Sequence, residues 1–320
     1  MIQPVESLEI TVLVDNGADS LSTNPGFVET EMAGAWRRGM KWLSGRCLCC
    51  AAHGLSCLIT TRTPSSQHTL LFDTGPDESI FERNVIRLGV DMGGVDAMML
   101  SHGHWDHAGA MPRALQMMTL ANGGRRVPTY MHPDMFASRA VKANDGRLMP
   151  MEDIPSEHVL AANGADLIIA RNEQSVLSNT VFISGEIPRV TSLEKGMPSQ
   201  TDWTPPASGP PMSSWWMSGS SPSTWRTRAC SSSRPVPGLI DVLTHAAERF
   251  PGIPLFGVLG GFHLAGPTEA IIPETVDALE PFDLQVIAPA HCTGWRALGQ
   301  LAQRFGDRVV QSAVGKRLVL

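Results

Sequence analysis

The 320-residue sequence lacks any apolar run near the ~20 residues with which a helix crosses a bilayer. Its first residues, Met1 to Gly17, include acids but neither Lys nor Arg, so we expect no secretion signal. Basic residues are scarce as well, because 25 Lys and Arg stand against 31 Asp and Glu for a net charge of -6. That balance argues against a surface that binds nucleic acid. These shortages predict a soluble, cytoplasmic protein that binds neither membranes nor nucleic acid.

Cysteine is sparse too. The six cysteines are Cys47, Cys49, Cys50, Cys57, Cys230 and Cys292. The first and third of them form a C-x-x-C, but no second pair follows at the spacing of a zinc finger. We therefore interpret the cysteines as reduced thiols. A structural zinc or redox role for the three that lie together is the alternative.

Short apolar runs of strand length alternate with stretches of helical period, which is typical of an α/β protein with a mixed sheet. The predicted strands are Leu8–Val14, Leu55–Thr61, Thr69–Phe72, Val95–Leu100, Val127–Met131, Asp166–Ala170, Thr180–Ser184, Leu255–Leu259, Leu284–Ala288 and Arg308–Val310. The predicted helices are Pro76–Leu88, Leu239–Phe250, Thr268–Leu279 and Thr293–Phe305. With 42% hydrophobic residues the chain can form a proper core, and we interpret residues 1–320 as one domain.

Residues 196–237 depart from this pattern because they contain neither Leu nor Ile. The segment holds eleven Ser, eight Pro and four Trp. A Ser- and Pro-rich composition predicts a disordered surface insertion. Four tryptophans fit that interpretation badly, since they would expose large apolar surface.

The densest chemical feature is the run Ser101-His102-Gly103-His104-Trp105-Asp106-His107, directly after the apolar residues 95–100. It places three imidazoles and one carboxylate on what we predict to be a loop leaving a buried strand. Such donors suit zinc, iron and manganese. A chance cluster of solvated histidines is the alternative, but the sequence has only ten histidines in all. The pattern therefore favours a metal site.

The sequence resembles the metallo-β-lactamase-fold superfamily over nearly its full length. The residues that carry the resemblance are Leu71-Phe72-Asp73-Thr74-Gly75, Ser101 to Gly109, and Pro289-Ala290-His291-Cys292-Thr293-Gly294. More narrowly it is similar to the dihydropterin synthase-like branch, through His53-Gly54-Leu55-Ser56, Ser184-Gly185-Glu186-Ile187-Pro188-Arg189, Gly260-Gly261-Phe262-His263-Leu264 and His291 to Gly294. The resemblance implies an αββα sandwich, two sheets covered by helices, with metals at the sheet edge.

The resemblance also implies two divalent ions, with zinc expected first and iron or manganese as alternatives. His102 and His104 would hold one ion, whereas Asp106, His107 and His291 would hold the other. The two ions would share a water, lower its pKa and polarise a carbonyl or phosphoryl oxygen. In that scheme Asp106 is also catalytic, because it would accept a proton from the shared water.

Further site residues follow from the same resemblance. His263 stands where the superfamily usually has another ligand, commonly an acid, and is expected to bind metal. Asp73 would orient the histidine loop from behind the ligands; the alternative is that it caps the helix predicted at residues 76–88. His53, Glu186 and Arg189 are expected to contact the substrate. A core position for His53 and a surface ion pair for the other two are the alternatives.

One expected motif is missing. The branch pattern calls for a Gly-Cys-Ser-His-Ala-Gly-like stretch just before Gly238, supplying the third histidine of the first metal, but the sequence reads Ser233-Arg234-Pro235-Val236-Pro237. Read one nucleotide upstream, Trp216 becomes Val and Met217 becomes Asp, which is closer to the branch. We therefore hypothesise a compensated frameshift near residues 196–237, which leaves the first metal site incomplete.

Three functions remain open from the sequence. The first is a metal-dependent hydrolase acting on a small, phosphorylated or pterin-linked molecule; without an export signal, a lactamase role is less expected. The second is a catalytically impaired or inactive member that binds a ligand or partner, which the missing histidine favours. The third is an iron-loaded redox protein of the same fold. The sequence does not decide whether this chain is an active enzyme.

Overall fold

The computed structural model describes residues 2–143, 145–194, 200–203, 217–220, 226–229 and 238–320. Within them the strands are β1 Ser7–Val14, β2 Val28–Glu29, β3 Ser56–Arg62, β4 Gln67–Phe72, β5 Ala97–Met99, β6 Val127–Met131, β7 Arg139–Lys142, β8 Leu148–Pro150, β9 Ala165–Ile169, β10 Gln174–Val176, β11 Val181–Ile183, β12 Gln200–Asp202, β13 Met217–Ser220, β14 Arg226–Ala229, β15 Gly257–Gly260, β16 Val286–Pro289 and β17 Arg317–Val319. The helices are α1 Glu31–Arg37, α2 Glu78–Leu88, α3 Trp105–Ala108, α4 Met111–Ala121, α5 Glu157–Ala162, α6 Leu239–Arg249, α7 Ile272–Leu279 and α8 Trp295–Phe305.

The first sheet has eight strands in the order β2-β17-β1-β3-β4-β5-β6-β9. Strands β1, β3 and β4 pair antiparallel, whereas β4, β5, β6 and β9 run parallel. A parallel pair needs a crossover, and α2 provides it between β4 and β5. The carboxyl ends of β4 and β5 consequently lie side by side at one edge of the sheet.

The second sheet has six strands in the order β10-β11-β14-β13-β15-β16. Strands β15 and β16 are parallel, so their carboxyl ends also meet at one edge. A smaller sheet joins β12, β7 and β8.

Three hydrophobic clusters define four layers. Alternate residues of β4 face opposite ways, as the pleat requires: Leu70 and Phe72 pack between the two sheets, whereas Leu71 packs against α2 and α4. A third cluster packs α6, α7 and α8 on the outer face of the second sheet, with Leu243 and Leu301 fully buried. Helix, sheet, sheet and helix thus follow one another, and the chain has the predicted αββα architecture.

Most predicted elements are found, with small shifts at their ends. Helix α2 begins after Asp77, whose side chain accepts from the backbone N–H of Ile80 at 2.9 Å, and ends at Gly89 in the left-handed conformation. The strand predicted at Arg308–Val310 is wrong. A 3-10 turn occupies Gly306–Arg308 there, and Val309 forms only an isolated bridge to Ile287.

The segment 196–237 is only partly described. Its strands β12, β13 and β14 pair with neighbours, β14 beside β11 and β13 beside β15. These residues are paired as strands, whereas the composition of the segment predicts a disordered insertion. The disorder predicted for the remainder of the segment falls outside the described residues and stays a prediction. No helix among the described residues is both long and apolar enough to cross a membrane.

Candidate metal centre

The histidine loop leaves the carboxyl end of β5 and enters the short helix α3. Beside it, Asp73 follows β4, and its backbone N–H donates to the carbonyl of Met99 at 2.9 Å. Asp73 adopts a left-handed backbone with φ of 56°, which is uncommon for a residue other than glycine. That conformation turns its carboxylate toward the loop, where Ser101 donates to it from both its backbone N–H and its hydroxyl at 2.5 Å.

The same carboxylate orients a histidine. Asp73 Oδ2 lies 2.7 Å from His107 Nδ1, so the ring donates from Nδ1 and its Nε2 presents a lone pair. Burial would lower the pKa of His107, but the carboxylates of Asp106 and Asp73 outweigh burial and raise it. The alternative that Asp73 caps α2 is wrong, because Asp77 occupies that position.

Three donor atoms from two distant parts of the chain converge. His107 Nε2 lies 3.1 Å from His291 Nε2, although 184 residues separate them. Asp106 Oδ2 lies 3.6 Å from the first nitrogen and 3.5 Å from the second. A tetrahedral ion at 2.0–2.1 Å from each donor would hold donors about 3.3 Å apart. The triangle fits such an ion, and its two imidazoles and one carboxylate suit zinc or iron(II).

A second group lies beside this triangle. His102 Nε2 is 2.8 Å from His104 Nδ1, and Asp106 places an oxygen within 4.8 Å of both. The turn between the two histidines is held by Arg139, a buried side chain that donates to the carbonyl of Gly103 at 3.1 Å. The structure thus brings together the five residues that the resemblance implies as principal ligands.

Burial sets the protonation states of these donors. It lowers the pKa of His102 well below the ordinary value, that of His104 to about 3 and that of His291 to about 4. Burial opposes ionisation of Asp106, but His107, His291 and His104 together outweigh it and hold the pKa of that carboxyl well below its usual range. At neutral pH the imidazoles of His102, His104 and His291 are neutral and the Asp106 carboxylate is charged, which is the state that binds metal. The raised pKa of His107 favours a second proton on its ring, which metal binding at Nε2 would displace.

His263 lies near this centre without joining either compact group. No group of described donor atoms within 4.8 Å of one another includes it. Burial and then His291 lower its pKa to about 3, and its backbone has a left-handed φ of 51°. Such strain in a bulky residue is often found at functional sites. His263 follows β15 as His291 follows β16, which brings both to the same sheet edge.

His53 occupies the open side of the centre. Its side chain is 55% exposed, and its Nε2 lies 3.8 Å from Asp106 Oδ2. The alternative of a core histidine is therefore wrong. The adjacent Gly54 leaves no room for a side chain, because a Cβ atom there would lie 2.1 Å from the carbonyl of Asp106. This close approach keeps His53 next to the ligand loop.

Glu186 and Arg189 contact other groups. Glu186 Oε1 lies 3.1 Å from Arg171 Nη1 and 3.4 Å from the buried His132, next to Asp134. Burial lowers the pKa of Arg189, and the nearby charges of Asp241 and Glu194 oppose that change. A substrate contact for either residue stays a prediction.

Other residues of the centre were not identified from sequence. Asn16 donates from Nδ2 to the carbonyl of His291 at 2.9 Å, and the buried Asp15 precedes it at the end of β1. Burial raises the pKa of Asp15 to about 6. Asp15 and Asn16 could have been identified from the sequence, since polar residues directly after an apolar strand often belong to a functional site. Arg139 gave no such signal.

Two sequence predictions are not resolved by this geometry. The missing histidine motif falls at residues 233–237, outside the described residues. Five of the six cysteines are described, and all five are free thiols. Cys47, Cys49 and Cys50 do not appear in any described group of three close donor atoms. The zinc alternative for these three consequently gains no support.

Comparison with known proteins agrees with this architecture. Residues 55–116 match the family model of the metallo-beta-lactamase superfamily. An uncharacterized protein of Methanocaldococcus jannaschii is 28% identical over 278 residues, covering 83% of this chain and 93% of its own length. The 7,8-dihydropterin-6-methyl-4-(beta-D-ribofuranosyl)-aminobenzene-5'-phosphate synthase of the same organism is 23% identical over 299 residues, covering 82% and 88%.

Solved structures extend the likeness to the whole chain. A metal-dependent hydrolase of the beta-lactamase superfamily superposes with a TM-score of 0.64 at 20% identity, covering 97% of this chain and 98% of that one. A diphosphatase from the PhnP family gives a TM-score of 0.51 at 14% identity, covering 99% and 98%. The chain therefore has the metallo-β-lactamase fold, and its residues 55–116 carry the sequence pattern of that superfamily.

Proposed function

We propose that this chain is a metal-dependent hydrolase of the metallo-β-lactamase superfamily, acting as a single domain in the cytoplasm on a small phosphorylated or pterin-linked substrate. The donor triangle of Asp106, His107 and His291 carries the proposal, because its edges of 3.1–3.6 Å match one tetrahedral ion. The relatives support the substrate class: one is named for a dihydropterin phosphate product and one is a diphosphatase.

Two bound divalent ions, zinc first, would supply an activated water and offset charge on the substrate. Within the protein, Asp73 keeps His107 in the tautomer that presents Nε2. The low pKa of Asp106 favours its role as ligand, since an efficient proton acceptor has a pKa near the working pH. His53 stands exposed beside Asp106, where it can contact an entering substrate.

Glu186 and Arg189 belong to the proposal as substrate contacts. A phosphate would suit the guanidinium of Arg189, which binds oxyanions in a fork. Glu186 already pairs with Arg171 at 3.1 Å, so a substrate group would have to compete with that pair. Substitution of Arg189 by Lys tests the contact, because Lys keeps the charge and loses the fork.

Metal analysis and a phosphoester screen test the proposal together. We expect about two metal ions per chain and hydrolysis that is lost on chelation and restored by zinc. His291→Ala should abolish turnover, whereas His158→Ala, on the exposed face of α5, should not. Full metal occupancy with no turnover of phosphomonoesters, phosphodiesters or diphosphates would refute a phosphohydrolase.

A second candidate function is an inactive member that binds a ligand. This function is favoured by the donors of the first ion. Among the described residues, the close group that contains His102 and His104 has only Asp106 as a third member, and Asp106 already belongs to the triangle. One ion per chain and substrate binding without turnover would identify this case. Resequencing the coding DNA across residues 196–237 tests whether a frameshift removed the missing histidine.

An iron-loaded redox protein is the third candidate, because a centre with two histidines and one carboxylate also suits iron(II). The purified protein would then contain iron as its main metal and would be coloured once air had oxidised the iron to iron(III). A colourless zinc protein excludes it.

A further inference from the structure

A second set of metal donors lies on the open side of the centre. His53 Nε2 is 3.8 Å from Cys292 Sγ and 3.8 Å from Asp106 Oδ2, and the three donor atoms all lie within 4.8 Å of one another. Cys292 is a free thiol that is partly exposed. Neither His53 nor Cys292 belongs to the triangle of His107, His291 and Asp106.

We propose that Cys292, His53 and Asp106 form an additional binding site for a thiophilic divalent cation such as zinc or cadmium. The site does not depend on hydrolase activity. It differs from the inner donor groups in kind, because it offers a sulfur atom, whereas they offer only imidazole nitrogen and carboxylate oxygen. Thiolate ligands select zinc and softer cations over magnesium, calcium or manganese.

The distances suit such an ion. A tetrahedral zinc has Zn–S of about 2.3 Å and Zn–N of about 2.0–2.1 Å, which separates sulfur and nitrogen donors by about 3.6 Å. The observed 3.8 Å between Cys292 Sγ and His53 Nε2 requires only a small movement. His53 can make it, since its side chain is 55% exposed.

Backbone contacts keep the three residues together. Gly54 approaches the carbonyl of Asp106 too closely for a side chain, and Leu55 N–H donates to that carbonyl at 3.3 Å. These contacts hold His53 beside the ligand loop. Cys292 follows His291 directly, so the positioning of His291 in the triangle also positions the thiol. The fold therefore keeps the three donors close together even though the side chain of His53 is exposed.

Asp106 would be shared between the two donor sets. The same oxygen, Asp106 Oδ2, faces both donor sets, and a carboxylate oxygen has about two lone-pair directions, so it can bridge an inner ion and an outer ion. Binding at the outer set replaces the S–H bond of Cys292 with a metal–sulfur bond and releases the proton to solvent. Because the outer ion draws on the same carboxylate, we expect excess zinc to weaken inner binding and inhibit any turnover.

Cadmium titration of zinc-loaded protein tests the site without an activity assay. A cadmium–thiolate bond gives an ultraviolet charge-transfer band, which the sulfur-free inner groups cannot produce. We expect the intensity of this band to correspond to one cadmium–thiolate bond per chain. The band should be unchanged in Cys50→Ser and absent in Cys292→Ser. His53→Ala should weaken cadmium binding at least about tenfold, since it removes a donor from an exposed position without touching the sulfur.

The controls separate the alternatives. A band that survives in Cys292→Ser and disappears in Cys50→Ser would assign cadmium to the C-x-x-C and overturn the proposal. Unchanged cadmium affinity in His53→Ala would also overturn it, as would the absence of any band. His53→Ala keeps the test decisive if Cys292→Ser folds poorly. Loss of hydrolase activity is not a readout here, so this site and the proposed function can fail separately.

Discussion

The two sheets contribute to the metal centre in different ways. The first sheet supplies its donors from one continuous loop, His102 to His107, and supports them with Asp73 from the adjacent strand. The second sheet supplies His291, with His263 nearby, after two neighbouring parallel strands. The contribution of the first sheet is local in sequence, whereas that of the second exists only once the sheets have packed. Substitutions in the first sheet and in the second sheet are therefore expected to affect metal binding in different ways.

Removal of the second sheet's ligand should have the largest effect. His291→Ala opens the donor triangle, so we expect the second ion to be lost or bound more than about a hundredfold more weakly, beyond the 10–100-fold typical of an outer partner. Metal content per chain, measured beside His158→Ala, checks this. Equal metal content in the two variants would show that the loop of the first sheet binds its ions alone.

Gly54→Ala tests how tightly the ligand loop of the first sheet packs against residue 54. A Cβ atom at this position would lie 2.1 Å from the carbonyl of Asp106, so the ligand loop must shift. We expect a loss of about 1–3 kcal/mol in the free energy of unfolding together with weaker metal binding. The control is Gly299→Ala in α8, where nothing lies within 4 Å and helix propensity favours a gain of up to about 1 kcal/mol. Equal stability of both variants would contradict the tight contact.

Asp73→Asn removes the charge behind His107. An amide can present N–H groups to Nδ1, so the ring loses the partner that selects its tautomer. We expect metal affinity, measured by competition with a chelator, to fall about 10–100-fold. Asp77→Asn is the matched control, because that side chain caps α2 and accepts from Ser79 and Ile80. An unchanged affinity in Asp73→Asn would mean that backbone geometry alone orients His107.

The same local-versus-distant contrast explains what could be predicted from the sequence. The histidine loop and Asp73 lie next to apolar strands with clear period, so their elements and their proximity were predictable. The pairing of His107 with His291 was inferred only through resemblance, since 184 residues separate them. Arg139 was not identified, because nothing in its local sequence distinguishes a buried arginine from an exposed one.

Two errors have physical causes. Helix α4 was not identified because Pro112 suggests a break, yet proline is tolerated in the first helical turn, and Met111, Ala114, Leu115 and Met118 form its buried face. The opposite error occurred at residues 308–310, where a short apolar run predicted a strand. So few residues cannot specify pairing, and the sheet offers only one bridge there.

The smallest expected effect is on the stability of the first sheet and does not involve metal binding. It concerns the contacts of Lys316. The buried Lys316, just before β17, donates to Asp19 Oδ2 at 2.8 Å, to Asn24 Oδ1 at 3.0 Å and to the carbonyl of Gln311 at 2.9 Å. Burial opposes ionisation of Asp19, but the hydrogen bonds from Lys316 and Ser22 and the charge of Lys316 together outweigh burial and lower the pKa from 3.8 to about 2.

Because the folded pKa of Asp19 lies below the unfolded one, its contribution is complete above pH 3.8 and is lost as the pH falls toward about 2. For a partly exposed pair we expect on the order of 1 kcal/mol. Urea unfolding of metal-free protein across this window, compared with Asp19→Asn, measures it, since acid would also displace bound metal. An identical pH slope in the variant would assign the acid sensitivity to other carboxylates. A difference confined to this window would assign that part of the acid sensitivity to the contact between Asp19 and Lys316, which joins the segment before β17 to residue 19 across the first sheet.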